Sequence, residues 1–262
     1  MELQGAHVVV TGAARGIGAA LVRRFHDGGA NVVAADVLDP TNTVDGLAHA
    51  VGLVADVASE AGNSDLIGAA IAAFGPIDLF FANAGLAIGT DLSTSEEEWN
   101  QAFDVNVNAH RWAAKYLLED WLAVGRGYFC STASAAGLLS QIGSSPYSVT
   151  KRAAVAFAEW LSITYGGRGV RVSCLCPQGV NTDMLRNSIG GGTDVVRAAG
   201  AVLEPAEVAN ITAAGIADER FLILPHPEVQ DYVVRKATDM ERWLSGMRKL
   251  QARVLGGPPE MR

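Results

Sequence analysis

Short apolar runs recur along the chain at strand length, and each is followed by a longer stretch in which apolar positions return every three or four residues. The runs "AHVVV", "NVVAAD", "GLVAD", "IDLFFA", "GYFCST" and "GVRVSCLC" predict six buried strands. Between them, "RGIGAALVRRFHDGG", "SDLIGAAIAAFG", "SEEEWNQAFDVNVNAHRWAAKYLLEDWL" and "SPYSVTKRAAVAFAEWLSITYGG" predict amphipathic helices. An irregular stretch from Asp183 to Glu204 leads into a helix from about Pro205 and then a seventh apolar run, "RFLILP". Strand and helix alternating in this way predict an α/β fold, a doubly wound parallel seven-stranded sheet (Rossmann fold). From Pro227 to about Leu255 the pattern is helical and charged, with Trp243, Leu244, Met247 and Leu250 at helical spacing. No repeat or linker interrupts the chain, so residues 1–262 read as one domain with a C-terminal helical tail at 227–262.

Composition agrees with that fold and removes several functions. Of 262 residues, 49% are hydrophobic and 18% charged, which suits a sheet covered on both faces. A net charge of −8 argues against nucleic acid or an anionic membrane as partner. No run is long enough for a membrane span, and the N-terminus enters a strand without a leader pattern. Cys130, Cys174 and Cys176 form neither a paired framework nor a C-x-x-C, so a reduced, cytoplasmic setting is expected. There is no H-E-x-x-H or His/Cys cluster for a metal, and no G-x-S-x-G elbow for a hydrolase.

The turn after the first strand reads "TGAARGIG". Gly12, Gly16 and Gly18 there allow a backbone to approach a pyrophosphate, and the helix that follows offers free N–H groups and the positive end of its dipole. Arg15 is either a phosphate contact or solvated surface. Asp36, 18 residues past Gly18 at the end of the second strand, can accept hydrogen bonds from ribose hydroxyls and repels a 2′-phosphate. No basic residue follows it directly, which predicts NAD rather than NADP. Asp56 has two readings, an adenine contact or a helix N-cap.

Two Tyr-x-x-x-Lys pairs follow: Tyr147 with Lys151, and Tyr232 with Lys236. Residues four apart share a helix face, so either lysine can influence its tyrosine. "TGAARGIG", "ANAG" from Ala82 to Gly85, "DVNVN" and a Tyr-x-x-x-Lys pair, in this order, resemble the single-domain, NAD-dependent short-chain dehydrogenase/reductase family. The resemblance runs from about Glu2 to Thr182. It implies a serine thirteen residues before the tyrosine, which is Ser134 for Tyr147 but Glu219 for Tyr232. Ser134 and Tyr147 also lie near the carboxyl edge of the sheet, where parallel sheets bind ligands. The resemblance thus implies the catalytic set Asn106, Ser134, Tyr147 and Lys151, with Asn108 two residues beyond the family position.

The resemblance implies hydride transfer between NAD and a secondary alcohol or ketone, with Tyr147 as general acid/base and Ser134 holding the substrate oxygen. Bringing a phenol from about 10 to near 7 requires roughly 4 kcal/mol of preference for the phenolate, for which Lys151 and the positive nicotinamide are the expected sources. Lys151 would also bind the nicotinamide ribose. Ile17, Val57, Asn83, Ala84, Gly85, Pro177, Val180 and Thr182 fall at positions that the resemblance implies line the cofactor. Gln178 intervenes where the family has glycine directly after proline, which makes it a candidate substrate-facing group. Residues 183–204 take the place of a substrate lid, with Gly190 to Gly192 as hinge and Met184, Leu185, Ile189, Val195 and Val196 as an apolar underside. A small, fairly apolar substrate is expected, in a homo-oligomer, tetramer or dimer. The alternative is a catalytically silent NAD(H)-binding sensor of the same fold.

Overall fold

Val8 and Val10 point to one side of the first strand and Val9 to the other, and all are fully buried, as a strand sandwiched between two helical layers requires. In a computed structural model, which describes residues 1–187, 194–196 and 200–257, this alternation builds two cores. On one face Val9, Phe80 and Phe129 join Leu66, Leu117 and Leu161. On the other, Val8, Val10 and Phe81 meet Leu21, Phe25 and Ile216. Each fully buried Phe or Leu contributes roughly 2–3 kcal/mol of apolar transfer.

The strands are β1 (His7–Thr11), β2 (Asn31–Asp36), β3 (Ala50–Val54), β4 (Leu79–Ala82), β5 (Gly127–Thr132), β6 (Val170–Leu175), β7 (Gly179–Val180), β8 (Val202–Leu203) and β9 (Leu222–Ile223). Seven of them form a parallel sheet in the order β3-β2-β1-β4-β5-β6-β9. The seventh apolar run is thus the seventh strand, although only Leu222 and Ile223 pair. The third strand begins at Ala50, two residues before "GLVAD", because its ladder runs from Val32↔Ala50 to Asp36↔Val54. It is an edge strand with no fully buried residue, so its burial pattern marks its limits poorly. β7 and β8 pair with each other in a small separate ladder that the hydrophobic pattern does not predict.

The helices are α1 (Gly16–Asp27), α2 (Thr41–Val44), α3 (Glu60–Phe74), α4 (Glu96–Phe103), α5 (Ala109–Val124), α6 (Ala135–Leu139), α7 (Ser145–Tyr165), α8 (Asp183–Arg186), α9 (Pro205–Ala217), α10 (Glu228–Thr238) and α11 (Met240–Leu255). The long helix expected through "DVNVN" is broken by a π turn at Asp104–Asn108, a distortion frequent at functional sites. The tail is two helices. Asp239, extended at φ −148°, ends the first and caps the second by accepting from the Arg242 amide at 2.9 Å. Among the described residues no helix is long and apolar enough to cross a membrane, and no His/Cys/Asp/Glu group could hold a metal. The strand order reverses between β1 and β4, so a crevice opens at their carboxyl ends.

Candidate active site

The glycine loop leaves β1 at that crevice. Gly12 adopts φ +65°, and a Cβ there would stand 2.7 Å from Ala84 Cα. A Cβ on Gly18 would meet the Gly12 carbonyl at 2.0 Å, so the turn closes only without side chains. Asp36 reaches the same loop, its Oδ2 accepting from the Ala14 amide at 2.9 Å and its Oδ1 from Leu38 at 2.9 Å. Asn83 ties β4 to the loop through Nδ2, which donates to the Thr11 and Gly12 carbonyls at 3.0 and 3.2 Å. Thr182 faces Gly16 across the crevice, its Cγ2 3.2 Å from where a Cβ would lie. Ile17 packs against the core beneath the loop, and Val57 and Val180 are buried. A cradle that any Cβ would fill, opening a helix and flanked by a carboxylate, fits a dinucleotide.

Arg15 stays on the surface, paired with Asp183 at 3.3 Å. Asp56 is neither buried nor the cap of α3. That cap is Ser59, whose Oγ accepts from Gly62 at 3.0 Å, while Asp56 Oδ1 accepts from the Ala58 amide at 2.9 Å.

At the other end of the crevice Ser134, Tyr147 and Lys151 come together. Ser134 is buried and caps α6, its Oγ accepting from the Ala136 amide at 3.1 Å and lying 3.4 Å from the Pro177 carbonyl. Burial raises the Tyr147 phenol above its usual range, and contact with the Ser134 hydroxyl offsets part of this. Lys151 is not among the groups that lower it. The ammonium lies 5.8 Å from the ring centroid and donates instead to the Thr132 carbonyl at 2.9 Å. Lys151 is 2% exposed, and desolvation lowers it to about 8, against the nearby Cys174 and Cys176 thiols. Gly85 leaves room for it, since a Cβ there would be 3.0 Å from Nζ and 3.3 Å from Asn106 Oδ1.

Asn106 is fully buried in the π turn. Its Oδ1 accepts from the Leu86 amide at 2.8 Å, and its Nδ2 donates to the Leu86 carbonyl at 2.9 Å and Thr150 Oγ1 at 3.0 Å. The side chain therefore pins the strand-four loop to the Tyr147 helix. Asn108 bonds Asp104 at 2.8 Å, on its own helix.

Several residues that organise the site carry no motif. Thr11 Oγ1 accepts from the Asn83 and Ala84 amides at 3.0 and 3.1 Å, and Thr132 Oγ1 donates to Asn83 Oδ1 at 3.0 Å. The only signal for either is a threonine closing a buried strand. His110, 1% exposed, is held at about 3 by burial and by Lys151, so it is neutral, with Nδ1 2.9 Å from Ser131 Oγ. Of the lid, Val195 is buried and Val196 packs on Gly179, whereas Met184 is exposed. Ile189 and Gly190 to Gly192 lie outside the described residues.

The family model described as short chain dehydrogenase matches residues 6–190. The 1-deoxy-11-beta-hydroxypentalenate dehydrogenase of Streptomyces avermitilis is 32% identical, covering 94% of this chain and 93% of its own. The meso-2,3-butanediol dehydrogenase of Serratia marcescens is 30% identical, covering 85% and 92%. A short chain dehydrogenase/reductase from Burkholderia phymatum, crystallised in complex with NAD, superposes with a TM-score of 0.84 at 29% identity, over 100% of this chain and 99% of its own.

Proposed function

The chain belongs to the short-chain dehydrogenase/reductase family, and from that premise we propose that it is an NAD-dependent oxidoreductase interconverting a secondary alcohol and a ketone. The observation that carries this reading is the convergence of Ser134, Tyr147 and Lys151 at the sheet edge, beside a glycine loop that Asp36 contacts. Bound nicotinamide supplies or accepts the hydride.

The chain's own residues handle the oxygen and its proton. Ser134 Oγ holds the substrate oxygen and stabilises charge developing on it. Tyr147 Oη gives the proton in ketone reduction and takes it in alcohol oxidation. Burial favours the protonated phenol, which suits the acid role. The base role needs positive charge nearby, and Lys151 is the resident source. Asn106 fixes the helix that carries Tyr147 and Lys151 through Thr150. Asp36 favours NAD by accepting from ribose hydroxyls, and the Burkholderia relative was crystallised with NAD.

A fairly apolar small substrate is supported by Arg15 and Arg186 being paired with Asp183 rather than forming an anion clamp. Two relatives are named as dehydrogenases of a hydroxypentalenate and of a butanediol, both alcohols. A homo-oligomer is supported by Trp160 at 51% and Ile163 at 83% exposure on α7. A reduced, cytoplasmic setting accords with three buried free cysteines.

The test is NADH appearance from purified protein with NAD⁺ and a panel of secondary alcohols, repeated with NADP⁺ and with Asp36→Ala. Turnover with NAD⁺, and a preference over NADP⁺ that narrows about tenfold in the variant, is the expected result. NADH binding without turnover on any alcohol would favour a silent sensor.

A further inference from the structure

Ser134 is held from two sides by one segment beyond the last strand. On the first side, the Ala135 amide donates to the Pro177 carbonyl at 2.8 Å, and Ser134 Oγ lies 3.4 Å from the same oxygen. The next amide in the chain, that of Gln178, donates to Nδ1 of His226 at 3.1 Å. His226 is 2% exposed, with Nε2 3.1 Å from the Gly179 carbonyl. A backbone donor at Nδ1 fixes the tautomer, so Nδ1 accepts and Nε2–H donates.

On the second side stands α6, which Ser134 caps. A five-residue helix leaves its last carbonyls without internal partners. Lys236 Nζ donates to the Leu138 carbonyl at 2.8 Å, and Arg152 donates to the same oxygen at 2.9 Å. Cations at this end also suit the helix dipole. His226 and Lys236 are joined through α10, whose buried Val229 packs with Ala135 and Leu139. The contacts close a ring through Ser134, α6, Lys236, α10, His226, Gln178 and Pro177.

We propose that the segment from His226 to Lys236 is a brace for the catalytic serine, and that His226 and Lys236 are positioning residues for the reaction. The inference rests on the dehydrogenase reading above. It joins the glutamine after Pro177 and the helical tail, which lies beyond the reach of the family resemblance, in one device. The second Tyr-x-x-x-Lys pair thereby gains a role, since its lysine acts on the serine helix rather than on its own tyrosine.

Lys236→Met removes the ammonium and keeps most of the stem. A small displacement of Ser134 is expected to lower kcat about tenfold, with NADH affinity unchanged and Lys236→Arg restoring most of the loss. In a Ser134→Ala background, Lys236→Met should change kcat no further, because no hydroxyl remains to be placed. An equal loss in both backgrounds would overturn the brace, as would a lowered Tm with kcat intact. His226→Ala should lower kcat in the same way, and His226→Asn, which keeps an acceptor for the Gln178 amide, should lower it less.

Amide hydrogen exchange across residues 134–140 decides the point without turnover. Faster exchange in Lys236→Met, reversed in Lys236→Arg, supports the brace, and unchanged exchange overturns it. A wild type that binds NADH but oxidises nothing would sink the dehydrogenase reading alone, and the exchange result would still judge the brace.

Discussion

At Tyr147 and at Tyr232 the chain places a lysine one helical turn on, and in both pairs the ammonium turns to a backbone carbonyl: Thr132 at 2.9 Å for Lys151, Leu138 at 2.8 Å for Lys236. The surroundings separate them. Tyr147 touches the Ser134 hydroxyl, and Lys151 lies buried beside Gly85 and Asn106. Tyr232 stands against Trp243 with Arg235 over its ring. Thirteen residues before it is Glu219, in the turn ahead of β9 and paired with Arg171. Spacing creates the helical neighbour; the carboxyl edge of the sheet creates the chemistry.

The sharpest way to break this comparison is to remove one hydroxyl at a time. Tyr147→Phe is expected to lower turnover by about a thousandfold, in the range of a lost general acid or base. NADH binding, followed by fluorescence titration, should persist, because Phe keeps the ring. Tyr232→Phe should remain within about twofold of the wild type. Loss of activity in the Tyr232 variant with the Tyr147 variant active would reverse the assignment.

Next in size is the electrostatic penalty of burying Lys151. Its folded value of about 8 lies below the ordinary 10.5. Between those two values the unfolded chain binds more protons, so stability rises with pH through that window, and the penalty is fully present below about 8. The gap corresponds to about 3 kcal/mol. Lys151→Met escapes the penalty but leaves the Thr132 carbonyl without its donor, so its net change at neutral pH is smaller. Denaturant unfolding should show the variant losing ground to the wild type by up to about 3 kcal/mol as pH climbs from 8 towards 10.5. Parallel pH profiles would mean that Lys151 is better solvated than its surroundings indicate.

The difference between the pairs also marks what a sequence discloses. Six strands, the glycine turn and the Tyr147–Lys151 pair are legible, because each rests on a local pattern: a buried run, a turn needing glycine, a helical spacing; Ser134 follows only from the family resemblance. The π turn at Asp104–Asn108 leaves the apolar period nearly intact, so it passes for continuous helix. In the sequence Asp56 is open between adenine contact and cap, and Ser59 takes the cap by accepting from the Gly62 amide. The roles of Thr11, Thr132 and His226 depend on atoms brought from 48 to 73 positions away, which no local period encodes. For the same reason the direction of Lys236, towards a carbonyl 98 residues earlier, could not be read from "YVVRK".

The smallest effect tests whether the two lysines differ in kind or only in depth. Lys236 is also lowered from 10.5, first by desolvation and then by Arg152, so its sign matches that of Lys151. It is only partly buried, and solvent screens it. Lys236→Met should therefore shift the pH dependence of unfolding in the same alkaline window and the same direction as Lys151→Met, by a clearly smaller amount. Arg152, which shares the Leu138 carbonyl, sharpens the point. Arg152→Met removes the neighbouring charge and should shrink the Lys236 effect further while leaving that of Lys151 unchanged. Equal pH shifts for the two lysines would place the tail pair in surroundings as dry as those of the Tyr147 pair, and the contrast drawn from their environments would fail.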